Sequence, residues 1–238
     1  RSSDLLPSAA ELGKLGVNLG AASTGDAFSL LQTALDAVAK TQVDTPAEIG
    51  DIAASAARMA AAANGTSASG TGLTLDDFAR LGVQGLDADN LAAAIDAVVS
   101  KPDATAINTA AKLQQVIDGL LRDLKLIKNY ADNKPNDDAA LGDLGVVLVP
   151  TQANYVGAGI TGVGTDAGQV PFAVMNAVLA TDTISSAQAD SRAKLQTIAD
   201  AYGRILSAAD GTAGNNLASA TPITRQDLVD VGVSPSKI

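Results

Sequence analysis

Apolar residues along this chain recur at helical spacing, in runs broken by clusters of Gly, Asn, Asp, Ser and Thr. The clearest run is Thr74-Leu75-Asp76-Asp77-Phe78-Ala79-Arg80-Leu81-Gly82-Val83, which predicts one short capped helix. Thr74 accepts a bond from the Asp77 N–H, and Asp77 sits where the helix dipole favours an acid. Phe78 and Leu81 share a face, and Gly82 supplies the left-handed stop. Versions of this run recur at Ser8 to Val17, Thr151 to Ile160 and Thr224 to Val233.

The segments between these copies repeat as well. A second helix carries Leu35-Asp36-Ala37-Val38, Ile95-Asp96-Ala97-Val98 and Met175-Asn176-Ala177-Val178, where a large apolar residue and a valine share a face and the polar residue turns outward. The loop before it varies, being longest at Asn18 to Asp26 and at Gly164 to Gln169. A third helix carries Ile49, Ile52, Ala56, Met59 and Ala60, which align without a gap on Leu195, Ile198, Tyr202, Ile205 and Leu206. Thr45-Pro46-Ala47-Glu48 opens it with a capping box and a first-turn proline; Asn64-Gly65 and Asp210-Gly211 close the two copies. The middle copy begins with Ala111-Lys112-Leu113-Gln114, identical to Ala193-Lys194-Leu195-Gln196, and runs through Val116, Leu120, Leu124 and Ile127, one helical turn longer.

The predicted fold is therefore all-α. Tandem three-helix units, each a short capped helix, a helix and a long helix, stack as a rod or solenoid. Their bounds are 1–70, 71–147, 148–220 and an incomplete fourth unit at 221–238. Three helices of this size enclose only a marginal core, so stacking on a neighbour is expected to stabilise each unit. Ala139 to Pro150, with the β-branched run Val146-Val147-Leu148-Val149, stands outside the plan and is expected to be an extended strap rather than a strand, having nothing to pair with.

Composition narrows the function. Hydrophobic residues make up 47% but aromatics only 3%, so the cores are built from Ala, Leu, Val and Ile in closely packed helices. No apolar run approaches the ~18 residues of a membrane span. A formal charge of −10 with scattered basic residues excludes a nucleic-acid backbone as partner and implies an acidic surface, with calcium-dependent behaviour as the sharper alternative. The absence of cysteine removes disulfides, thiolate nucleophiles and zinc–sulfur sites. Arg1 to Pro7 lacks the apolar core of a signal peptide, which implies a processed product, an internal piece or a cytoplasmic chain.

The Thr-led helix ending in Leu-Gly-Val, then Asn90-Leu91-Ala92-Ala93-Ala94-Ile95-Asp96-Ala97-Val98-Val99, then an amphipathic helix closing on Ala-Asp-Gly, resembles tandem α-helical repeats of very large secreted bacterial surface proteins, described as adhesins or as haemolysin-type and Ig-like repeat proteins. The first copy departs from the pattern, with Ser8 and Leu12 where the second has Thr74 and Phe78. The resemblance implies extracellular or cell-surface exposure and a spacer, scaffold or adhesive role, and it transfers no catalytic residue.

Motifs that suggest chemistry have plainer explanations. Gly157-Ala158-Gly159-Ile160-Thr161-Gly162 matches a dinucleotide fingerprint, but helix precedes it and loop follows, and Gly159 is the counterpart of Gly82. Ser234-Pro235-Ser236-Lys237 matches an acyl-serine signature without its companions. The chain has no histidine, and the acid pairs Asp76 with Asp77, Asp87 with Asp89 and Asp137 with Asp138 are read as capping and solvated loops. Asp132-Asn133-Lys134-Pro135-Asn136-Asp137-Asp138 gathers oxygens without the spacing of a calcium loop. Asn64-Gly65-Thr66 matches a glycosylation acceptor, and Tyr130, Tyr155 and Tyr202 are read as packing residues with the hydroxyl at the edge. No catalytic, cofactor-binding or metal residue is assigned. The expected function is a non-enzymatic structural or adhesive repeat module, a spacer or fibre-forming segment whose partners are neighbouring repeats or identical subunits end to end. The alternative is a protein- or glycan-binding module that uses the variable loops.

Overall fold

The computed structural model describes residues 6–65, 72–166, 168–209 and 222–238, and these are mostly helical. The four Thr- or Ser-led runs form α1 (Ala9–Lys14), α4 (Leu75–Arg80), α7 (Gln152–Gly157) and α10 (Arg225–Asp230). Each has a capping box: Ser8 with Glu11, Thr74 with Asp77, Thr151 with Asn154, and Thr224 with Asp227. Each closes on a glycine at positive φ, from 74° at Gly159 to 88° at Gly232. The residue after that glycine donates its N–H back across the turn: Val17 to Leu12, Val83 to Phe78, Ile160 to Tyr155 and Val233 to Leu228, at 2.8–3.1 Å. That bond satisfies a carbonyl the helix end leaves open, and a left-handed residue is needed to make it.

The second helices are α2 (Gly25–Ala37), α5 (Leu91–Val99) and α8 (Phe172–Leu179), and the third are α3 (Pro46–Ala62), α6 (Ala110–Ala131) and α9 (Arg192–Ala208). A 3₁₀ turn joins second to third helix in every copy, at Lys40–Gln42, Ala104–Ala106 and Ser186–Gln188. The expected extra length of the middle copy is present, since α6 has 22 residues against 17 in α9. Asp210 and Gly211, expected to end α9, and Thr66 of the glycosylation triplet lie outside the described residues.

Packing divides the chain into two compact units, Arg1–Leu120 and Leu121–Ile238, with the boundary inside α6. In the first unit α3 packs on α2 and also on α4, so consecutive repeats share a core. Leu30, Leu31, Ile52, Met59, Phe78, Leu81, Leu113 and Ile117 are fully buried there. Hydrogen bonds join the same two repeats: Ala110 N–H to Thr33 Oγ1 (2.9 Å), Asn108 Nδ2 to Asp26 Oδ1 (2.7 Å) and Gly65 N–H to the Val99 carbonyl (3.0 Å). In the second unit Ile127, Tyr155, Met175, Leu179, Leu195 and Ile198 form the core, and α10 packs on α9.

Four expectations change. Asn176 does not turn outward; it is buried, accepts from the Tyr155 hydroxyl (2.6 Å) and donates to the Pro150 carbonyl (2.8 Å). Tyr155 is accordingly buried with its hydroxyl rather than at an edge, and burial pushes its phenol well above the usual range. Val38 lies just beyond α2, in extended backbone. The loop after Gly162 is pinned by a short parallel pair, β1 (Val163–Gly164) on β2 (Val170–Pro171), because Val163 and Val170 bury together. Ala139 to Pro150 contains no strand: its one 3₁₀ turn is Ala139–Leu141, and Asn136 curls it back by exchanging backbone bonds with Val146 (2.8 Å) and Gly145 (3.0 Å).

Candidate functional site

The most elaborate polar constellation lies where the third helix of one repeat meets the capped helix of the next. The sequence pattern makes Asp77 an exposed capping residue; in the structure it is 1% exposed. Its Oδ2 accepts from Thr74 N–H (2.9 Å) and Thr74 Oγ1 (3.0 Å), which completes the capping box. Its Oδ1 faces α3 and accepts from Ser55 Oγ (2.8 Å), from Arg58 Nε (3.1 Å) and from Arg58 Nη2. Burial pushes the Asp77 carboxyl up, but Arg58, Ser55 and Thr74 together hold it below the usual carboxylate range.

The register that sets Ile52 on Ile198 also sets Arg58 on Arg204, and the joint recurs. Asp227 Oδ2 accepts from Thr224 N–H (2.7 Å) and Oγ1 (2.9 Å), while Oδ1 accepts from Arg204 Nε (3.0 Å) and Nη2. Arg204 is the main cause that lowers the Asp227 carboxyl to about 2. One face of each carboxylate caps its own helix and the other anchors the preceding repeat.

At the middle position the chemistry is rearranged. Asn154 replaces the acid, accepts from Thr151 N–H (2.8 Å) and Oγ1 (2.7 Å) through Oδ1, and donates Nδ2 to Asp123 Oδ1 on α6 (2.8 Å). The aligned arginine, Arg122, turns instead to Asp138 (3.3 Å) in the inserted segment. Burial raises the Asp123 carboxyl, with Asn154 and Arg122 opposing. Gly157 makes the close approach feasible, since a Cβ there would lie 1.8 Å from Asp123 Oδ2.

A second device repeats within single repeats. Gln114, from the shared Ala-Lys-Leu-Gln, accepts from Gln84 N–H (2.7 Å) and donates to the Gln84 carbonyl (3.2 Å); Gln196 does the same to Thr161 (2.9 and 3.1 Å). Both glutamines thus grip the residue two past the helix-ending glycine.

The other sequence candidates are accounted for locally. α7 ends at Gly157, Gly159 closes its cap, and β1 rather than a helix follows Gly162. Ser234 Oγ lies 2.9 Å from Ser236 Oγ, beside an exposed Lys237. Asp87 caps Asn90, Asp137 pairs with Lys125 (2.8 Å), and Asp132 is lowered to about 2 by Lys134 and by Ser186. Among the described residues no group of three or more acids, His or Cys is gathered as a metal site requires, and no helix is long and apolar enough to cross a membrane. Weighing the basic residues as scattered charge hides the two arginines. The gapless alignment of the third helices carries their signal.

No family model matches the chain, nor does any curated protein or solved structure.

Proposed function

We propose that this chain is a non-enzymatic structural module, a spacer or fibre-forming segment of a bacterial surface protein, built of three-helix repeats stacked as a rod or solenoid. The observation that carries the reading is the recurrence of one joint, Arg58 on Asp77 and Arg204 on Asp227, at the same register. A joint that serves twice is one that propagates: the second and fourth repeats present a capping acid to an arginine of the repeat before, and between the second and third Asn154 on Asp123 takes its place. The resemblance to large secreted surface proteins supports an extracellular location.

Two features leave surface for a further copy, a capping acid in α1 that is unpaired among the described residues and a half-covered apolar face on α10. Glu11 holds the capping-box position in α1 but is exposed, its carboxylate bonded only to Ser8 among the described residues. Leu228, Val231 and Val233 of α10 are half-buried, whereas their counterparts Phe78, Leu81 and Val83 are buried. A second- and third-helix pair of the same plan, from another copy of the chain, fits the α10 face. Sedimentation across a concentration series tests this: the full chain is expected to self-associate, and deletion of 222–238 or Glu11→Lys to weaken that association. A chain that stays monomeric throughout, and melts at the same temperature after the deletion, rules this assembly out.

A further inference from the structure

The first repeat lacks the glutamine clasp, and its absence leaves a cleft. Aligned on Gln114 and Gln196 stands Gly50, and aligned on Gln84 and Thr161 stands Asn18. Where the other repeats place a carboxamide, the first has a cleft of about 680 Å³, within the range of small-ligand sites. Its floor is the α3 face of Ala47, Gly50, Ala54 and Ala57, and Leu19 with Ala21 of the variable loop Asn18 to Asp26 closes one side. The Asn18 backbone N–H donates to no described residue and its carbonyl accepts from none, although the clasp satisfies both groups elsewhere. The Asn18 side chain is committed to Gly20 N–H (3.2 Å).

We propose that this cleft binds a carboxamide-bearing peptide segment, whose amide carbonyl accepts from Asn18 N–H and whose amide N–H donates to the Asn18 carbonyl, as Gln114 and Gln196 do internally. Three things specify that ligand class. The paired donor and acceptor match a primary amide, whose carbonyl and one N–H lie on the same side, and not a carboxylate, which has no N–H to offer, nor a trans secondary amide, whose N–H and carbonyl point apart. The floor carries no side chain longer than a methyl group at Gly50, Ala54 or Ala57, so a chain can lie close to the helix. Apolar Leu19, Ala21 and Pro46 border the site and suit the aliphatic stem of the amide. The site is independent of the arginine–aspartate joint, and its failure would leave the structural reading intact.

The probe is N-acetyl-glutamine amide, titrated at millimolar concentrations into the isotope-labelled full chain, with N-acetyl-glutamate methyl ester, its side chain ionised and its only N–H on the acetyl group, as the comparison. The Asn18 amide resonance is expected to shift saturably with the glutamine probe and at least about tenfold more weakly with the glutamate one. In Gly50→Gln the tethered amide is expected to occupy the cleft, raising the melting temperature and abolishing the response. A Cβ at Gly50 has room for this, meeting only the Asn18 carbonyl at 3.6 Å. Ala54→Leu, which fills the cleft from its floor, where Ala54 is exposed, is expected to abolish the response as well. No shift at Asn18 in the unsubstituted chain, an equal response to both probes, or a response that survives both substitutions overturns the proposal.

Discussion

At the scale of single residues, the decisive feature is an acid made to do two jobs. A capping aspartate at the surface contributes about 1 kcal/mol, whereas one whose second oxygen is buried against an arginine becomes costly to remove. Arg58 keeps nearly half its side chain in water, which discounts the buried-pair figure, so Arg58→Met is expected to cost about 1–3 kcal/mol in urea unfolding. A change below ~0.5 kcal/mol would mean that Ser55 and Thr74 alone sustain Asp77. The pH dependence has a definite sign. Asp227, at about 2, and Asp77, shifted the same way, bind protons less readily folded than unfolded. Their contribution is present above the unfolded value near ~4 and is lost as pH falls from there towards about 2. Acid unfolding followed by circular dichroism should therefore begin below about pH 4, and Asp227→Asn should flatten that limb. Asp123 runs the other way: burial raises its carboxyl, so its ionised form opposes folding at neutral pH, and Asp123→Asn is expected to leave stability equal or higher.

At the scale of elements, six-residue helices such as α4 are far too short to persist alone, and their ends hold them. Leu73 and Phe78, both buried, occupy the flanking positions of a hydrophobic staple around the Thr74 box. Gly82 does two things: it adopts φ 83°, and it lets α4 approach α2, since a Cβ there would lie 3.0 Å from Ala37 Cβ. Gly82→Ala is expected to cost about 1–2 kcal/mol from the backbone term, with packing added, and a melt unchanged from the parent would refute that role. This level was largely legible beforehand, because caps and glycine stops are local. Legibility failed at Asn176, whose neighbours predicted an outward side chain. The buried Tyr155 hydroxyl needs an acceptor, and only the meeting of α7 with α8 reveals that demand.

For the whole molecule, the repeat plan of the sequence and the packing of the chain cut it differently. Repeats are bounded by loops, yet the chain divides into compact units at a point inside α6, and within the first unit α3 buries Ile52, Ala53, Ala56 and Met59 among α2, α4 and α5. A fragment of residues 1–70 therefore retains its three helices but loses part of their cover. It is expected to show no cooperative thermal transition, whereas 1–131, which carries α4 to α6 as well, is expected to melt cooperatively. Equally sharp transitions in both fragments would show that a single repeat closes its own core.

The amino-acid order by itself determined most of the helices of this protein: the capped starts, the glycine stops of the short helices, the extra length of the middle third helix and the recurrence of the plan are set by bonds and side chains within a few residues of one another. Tertiary structure alone decided which polar groups are withdrawn from water and by whom they are met, as with Asp77 by Arg58 and the Tyr155 hydroxyl by Asn176. A local cap looks the same whether its far side faces solvent or another helix, and only the neighbour's approach makes its charge worth pairing.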